Sequence, residues 1–188
     1  VIEVPVDTAL LLEAEQMFKE AKSSDHLRFR TEKAKGNTDW TGVMGQAVFA
    51  AVLRMERLPF KFVNITQRDF EVCGLKVEVK SKVWSKAPWP SDPVSVFNYI
   101  KDHQDVDYYA FVHLQLGPGE DRNGPPSFTR FPKAYFLGVK DAKSYMAEAE
   151  EVKKGTIFDS GHEAKADSMN LAAAKLLPVT VLGGNENE

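Results

Sequence analysis

The chain of 188 residues holds one cysteine, Cys73, which excludes an internal disulfide and fits a reducing compartment. Histidine is nearly as scarce: of the four, His26, His103 and His162 lie far apart, and no ligand spacing links them. No apolar run approaches the length that crosses a bilayer, and the opening Val-Ile-Glu-Val-Pro lacks the charged and apolar regions of a signal peptide. A cytoplasmic protein with no membrane partner is therefore expected. Repeats and low-complexity tracts are missing, which leaves an ordinary globular composition. Strong charge is missing too: a net charge of -3 argues against a protein that coats nucleic acid non-specifically.

What is present fits one domain over 1–188, long enough to bury a core without staples. Acidic residues gather at the two ends, whereas Arg54, Arg57, Lys61, Arg68, Lys76, Lys80, Lys82 and Lys86 make the stretch between them locally basic. The periodicity predicts an amphipathic helix from Thr8, as N-cap, to Lys22, then a basic loop or arm over Asp25–Lys35. A second helix starting near Asn37 or Thr38 is apolar on most of its circumference, with Gly45 suited to close packing and Gln46 as the polar exception. Phe60–Thr66 reads as a strand. Trp84–Pro93 reads as a surface loop whose tryptophans anchor a small satellite core, with stacking on bases as the functional alternative. Val96–His103 reads as helical or irregular, Asp107–Leu116 and Lys133–Lys140 as strands, Asp141 as the cap of a helix reaching about Val152, and Ser168 as the cap of a final helix to Leu177. The sum is an α/β fold whose sheet is largely antiparallel at its start.

The most informative stretch is Asp69–Lys82. Strict alternation of Phe70, Val72, Leu75, Val77 and Val79 with polar residues marks two strands with one buried face. A two-residue turn at Cys73-Gly74 sets Val72 opposite Leu75, Glu71 opposite Lys76, Phe70 opposite Val77 and Asp69 opposite Glu78. Directly opposed Cβ atoms lie only ~4.5–5.5 Å apart, so the last pair is repulsive unless a cation sits between them. Lys80 shares the face of Glu78. Hard oxygen ligands favour Mg²⁺, with Mn²⁺ as substitute, over zinc. Glu71 is either an extra ligand or the partner of Lys76, and the pair is favoured. His113 and Gln115 share one face of their strand and are left outside the catalytic set.

Asp69, the Glu78-Val-Lys80 triplet, the helix around Gly45-Gln46 and the aromatic strand Asp107-Tyr-Tyr-Ala-Phe-Val together resemble the PD-(D/E)xK nuclease superfamily over roughly Asp39 to Lys140. The resemblance implies a restriction-endonuclease-like core, a mixed central sheet flanked by helices. It also implies a Mg²⁺-dependent DNA endonuclease, with Asp69 and Glu78 as metal carboxylates, Lys80 orienting the attacking water and Gln46 in the place where relatives often carry glutamate. Arg68 stands where the family's name has proline. Lys76, Lys82, Trp84 and Lys86 are the expected DNA contacts, and a homodimer would suit double-strand cleavage. The competing expectation is a nuclease-like module that binds nucleic acid without cutting it.

Overall fold

The computed structural model describes residues 1–23, 37–65, 68–97, 105–121, 127–158, 163–164 and 166–184. The expected basic arm at Asp25–Lys35 lies outside them.

A mixed six-stranded sheet carries the fold, in the order β1 (Ile2–Pro5), β7 (Lys133–Asp141), β6 (Tyr108–Gln115), β4 (Leu75–Trp84), β3 (Arg68–Val72), β2 (Phe60–Ile65). Its β2-β3-β4 meander is antiparallel, as expected, and β4 then pairs with β6 in parallel from Val77–Tyr108 to Trp84–Gln115. One face of the sheet is covered by α1 (Thr8–Ser23) and α2 (Asn37–Met55). Positions Val43 to Ala50 of α2 are buried throughout, which is why this helix reads as apolar nearly all round. Phe49 of α2 packs edge-on to Phe70 and stacks on Phe136, and Phe18, Trp40 and Phe128 form a second aromatic group joining α1 to α2. The other face of β6 and β7 is covered by α3 (Ala142–Glu148) and by a small antiparallel sheet of β5 (Pro93–Phe97), β9 (Ser168–Ala172) and β8 (Glu150–Val152). The buried Tyr145 of α3 ties that layer together, its hydroxyl lying 2.9 Å from the Val94 carbonyl and 2.7 Å from that of Met169.

Several expected elements are corrected. The first helix is capped by Asp7, whose carboxylate accepts from the Leu10 amide at 2.9 Å, and not by Thr8. Asp141 does cap α3 through the Ser144 amide, but the helix stops at Glu148 and the next residues pair as β8. Ser168 starts a strand and caps no helix. Pairing with β5 along Pro93–Phe97 holds Ser168–Ala172 extended, and only Ala173–Lys175 beyond it forms a short 3-10 helix. The same pairing turns the start of the expected helical or irregular stretch at Val96 into strand; residues 98–104 lie outside the described ones.

The hairpin turn has the expected two residues. Cys73 and Gly74 both take positive φ, 49° and 82°, as a type I′ turn requires. Cysteine is strained there, since only glycine, asparagine and aspartate visit that region readily. Cys73→Asn is expected to raise stability by about 0.5–1 kcal/mol in chemical denaturation, with the slope of the transition unchanged.

Candidate active site

Pairing of β3 with β4 stops at Phe70–Val77, one step short of the expected Asp69–Glu78 pair. The strands part there, and the Asp69 carboxylate takes over as the bridge: Oδ2 accepts from the Val79 amide at 2.8 Å. Its other oxygen, Oδ1, accepts from Gln46 Nε2 of α2 at 2.6 Å. The helix reaches this point because Gly45 lies so close to β4 that a Cβ on it would be 1.7 Å from Ser81 Oγ. Sequence position 46 thus enters the site through a close approach that only glycine allows next door.

Glu78 projects to the side of β4 opposite Val77 and Val79, and Lys80 follows on the same side. Lys80 Nζ donates to Glu78 Oε1 at 2.9 Å and lies 5.8 Å from the centre of the Tyr109 ring. Burial and the neighbouring Glu78 charge push the Tyr109 phenol up to about 12, so it stays protonated at neutral pH. Three elements therefore bring Gln46, Asp69, Glu78 and Lys80 into one region, with the first three only 8 %, 7 % and 4 % exposed.

Three buried side-chain atoms have no hydrogen-bond partner among the described residues: Gln46 Oε1, Ser81 Oγ and Arg68 Nε. Asp69 is acceptor-only when ionised, which fixes the Gln46 amide with its nitrogen toward Asp69. Gln46 Oε1 is then buried without a partner among the described residues. An unpaired buried carbonyl costs about 1–3 kcal/mol. The donor set of two buried carboxylates and one orphaned amide oxygen, balanced by the Lys80 ammonium, fits a small hard divalent cation that retains waters. Among the described residues no three His, Cys, Asp or Glu side chains form a metal-holding group, and the carboxylates at this point are two, Asp69 and Glu78.

The other expected contacts fall in different places. Lys76 sits at the turn end of β4, ion-paired with Asp105, and its backbone amide donates to Asp107. Glu71 pairs with Arg68 at 2.7 Å, which corrects the expected Glu71–Lys76 pair although the two are register partners. Lys82 Nζ donates to the Pro93 carbonyl at 3.1 Å and lies 4.3 Å from the Trp84 ring centre. Lys86 is exposed, and its carbonyl accepts from His113 at 2.8 Å. Burial lowers the pKa of His113, so its ring is neutral and donates through Nε2, a hydrogen-bonded core residue as expected. Trp84 is half-buried beneath Lys82, whereas Trp89 is 68 % exposed and anchors no satellite core.

Sequence reading missed a cleft of about 400 Å³ beside this region, lined by Lys80, Lys82, Asp92, Ser95, Phe97 and His113 among others. Its walls come from β4, β5 and β6, a convergence with no local signal because β5 was not expected to be a strand. No family model, no curated protein and no solved structure matches the chain.

Proposed function

We propose that the chain is a divalent-metal-dependent deoxyribonuclease of the PD-(D/E)xK type with a restriction-endonuclease-like core, cutting DNA internally. The observation that carries this reading is the meeting of Gln46, Asp69, Glu78 and Lys80 where β3 and β4 separate, with the Gln46 oxygen buried and unpartnered. Asp69 and Glu78 would hold Mg²⁺ or Mn²⁺, each carboxylate having lone pairs beyond its present hydrogen bonds. When bound, the ion supplies an acidified water and neutralises charge on the phosphate. Lys80, held by Glu78, places an ammonium where it can orient that water and offset charge developing on the phosphoryl oxygens. Gln46 fixes the Asp69 carboxylate and offers its own oxygen to the ion or its waters. Burial of Gln46, Asp69 and Glu78 keeps their interactions stronger than they would be in water.

Plasmid cleavage is expected to require Mg²⁺ or Mn²⁺ and to fall by about 10³-fold or more in Glu78→Ala and Lys80→Ala, the equivalent of losing roughly 4 kcal/mol of transition-state stabilisation. A folded variant that cuts at the wild-type rate overturns the assignment.

One observation favours a second reading, a nuclease-like module that binds nucleic acid without cutting it. Both Asp69 oxygens already accept internal hydrogen bonds, and Lys80 is already paired with Glu78. Titration calorimetry separates the two: DNA binding with no heat from Mg²⁺ or Mn²⁺, and no cleavage with either, establishes the module.

A further inference from the structure

The alternation of β4 puts Glu78, Lys80 and Lys82 on one face of the sheet, and the register with β6 gives each its own neighbour: Tyr109 beside Glu78, Phe111 beside Lys80 and His113 beside Lys82. The two lysines leave the strand in different directions. Lys82 Nζ reaches the Pro93 carbonyl of β5 and the Trp84 ring, whereas Lys80 leans back along the strand, past its own register partner, to Glu78 and to the face of Tyr109, 5.8 Å from the ring centre. The backbone does not force that lean. From Lys80 onward along β4 runs the cleft of about 400 Å³, whose lining includes Lys80 and Asp92 but neither Glu78 nor Tyr109. A four-carbon side chain rooted at position 80 can therefore reach either the candidate site or the cleft.

Tyr109 is itself held in place. It is 2 % exposed, and its ring meets Tyr145 edge-on at 5.5 Å, while the Tyr145 hydroxyl donates toward the carbonyls of Val94 and Met169. Phe111 stacks on the same Tyr145 ring, also at 5.5 Å. The Tyr109 ring is thus a fixed surface, and an aromatic face attracts an ammonium most strongly away from water, as here, where 14 % of the Lys80 side chain is exposed. The Glu78 hydrogen bond is a restraint with a second duty: a carboxylate that also holds a cation grips an ammonium less tightly. The ring has no such duty. We propose that Tyr109 is a positioning residue for Lys80, its ring keeping the ammonium beside Glu78 at the candidate site and out of the cleft. The inference rests on the nuclease reading and adds to it a residue that acts through Lys80 without touching the substrate.

The test compares wild type with Tyr109→Phe, which keeps the ring, and with Tyr109→Leu and Tyr109→Met, which do not. Two readouts are taken: cleavage of supercoiled plasmid in Mn²⁺, and, without metal or DNA, proton–carbon NMR of the lysine Cε groups, the Lys80 signal being identified by its loss in Lys80→Arg. Protons over an aromatic face resonate upfield, so the Lys80 signal is expected at the same place in wild type and Tyr109→Phe and downfield of it in the other two. The value of kcat is expected to fall on the order of tenfold in Tyr109→Leu and Tyr109→Met with KM for DNA unchanged, while Tyr109→Phe cuts like wild type. Methionine fills more of the vacated space than leucine, so it serves where leucine leaves too large a gap, and melting curves show which variants are folded. A Lys80 signal that stays put in a folded variant without the ring, such a variant cutting at the wild-type rate, or Tyr109→Phe as slow as the others overturns this inference and leaves the nuclease reading standing. A wild type that cuts no DNA overturns the nuclease reading, and this inference with it.

Discussion

Asp69→Asn is expected to lower metal-dependent DNA cleavage by about 10³-fold or more and to remove the heat of Mg²⁺ binding, while the melting temperature stays level or rises. The two halves of this result have different causes. Activity falls because a neutral amide replaces one of the two carboxylates assigned to the ion. Stability holds because the isosteric side chain keeps both of its contacts. The substituted amide would accept from the Val79 N–H through its oxygen, and a flipped Gln46 amide would accept from its nitrogen, both along hydrogen bonds that exist now at 2.8 and 2.6 Å. Removing one of two carboxylates in a buried site relieves repulsion worth on the order of 1 kcal/mol, or about 2–4 °C for a chain of this size. Added Mg²⁺ should raise the wild-type melting temperature and leave the variant's unchanged, since only a ligand of the folded state stabilises it. If Asp69→Asn melts well below wild type, Asp69 is chiefly the structural bridge between β3, β4 and α2. If it cuts DNA at the wild-type rate, the metal assignment is wrong.

Gly45→Ala should be the most damaging single methyl group in this region. Its Cβ would lie 1.7 Å from Ser81 Oγ and 2.9 Å from Ser81 Cβ, so rotating the hydroxyl away does not make room. The helix must move off β4, an overpacking cost of about 1–3 kcal/mol against a helix-propensity gain of up to about 1 kcal/mol. A net loss on the order of 1–2 kcal/mol is expected in denaturant titration. Activity should fall further than stability, because Gln46 is the next residue and travels with the helix. Ser81→Gly in the same chain should restore most of both. Ser81→Ala should restore less, because the two Cβ atoms still collide, although it also removes a buried hydroxyl that has no partner among the described residues. Additive effects of Gly45→Ala and Ser81→Gly would show that the contact is not the cause.

These two positions also show where sequence reading reaches and where it stops. The alternation through Phe70, Val72, Leu75 and Val77 was enough to specify the turn and the register of the hairpin, and all three predicted pairs below the site are present. The same alternation set Asp69 opposite Glu78, and that pair does not form. The missing fourth pair was not legible, because it depends on a helix amide arriving from 23 positions earlier in the chain to hold Asp69. Glu71 and Lys76 are a similar case. Their register was correct, yet each charge found a different partner, Arg68 and Asp105, since long side chains on an open face choose among whatever the fold brings near.

By itself the sequence determined the local periods: a helix apolar on nearly all sides, an alternating hairpin with Lys80 two residues beyond Glu78, and an aromatic strand fit for the centre of a sheet. Tertiary structure alone decided that β4 runs parallel to β6 with its far edge open, that Ser168–Ala172 is a strand and not the start of a helix, and that β5 closes a cleft beside Lys80. The physical reason is range. Side-chain period and turn chemistry act over a few residues and are written into each segment, whereas strand pairing, the Gly45–Ser81 approach and the cleft arise between segments tens of residues apart, whose meeting is settled by which apolar faces the whole chain can bury together.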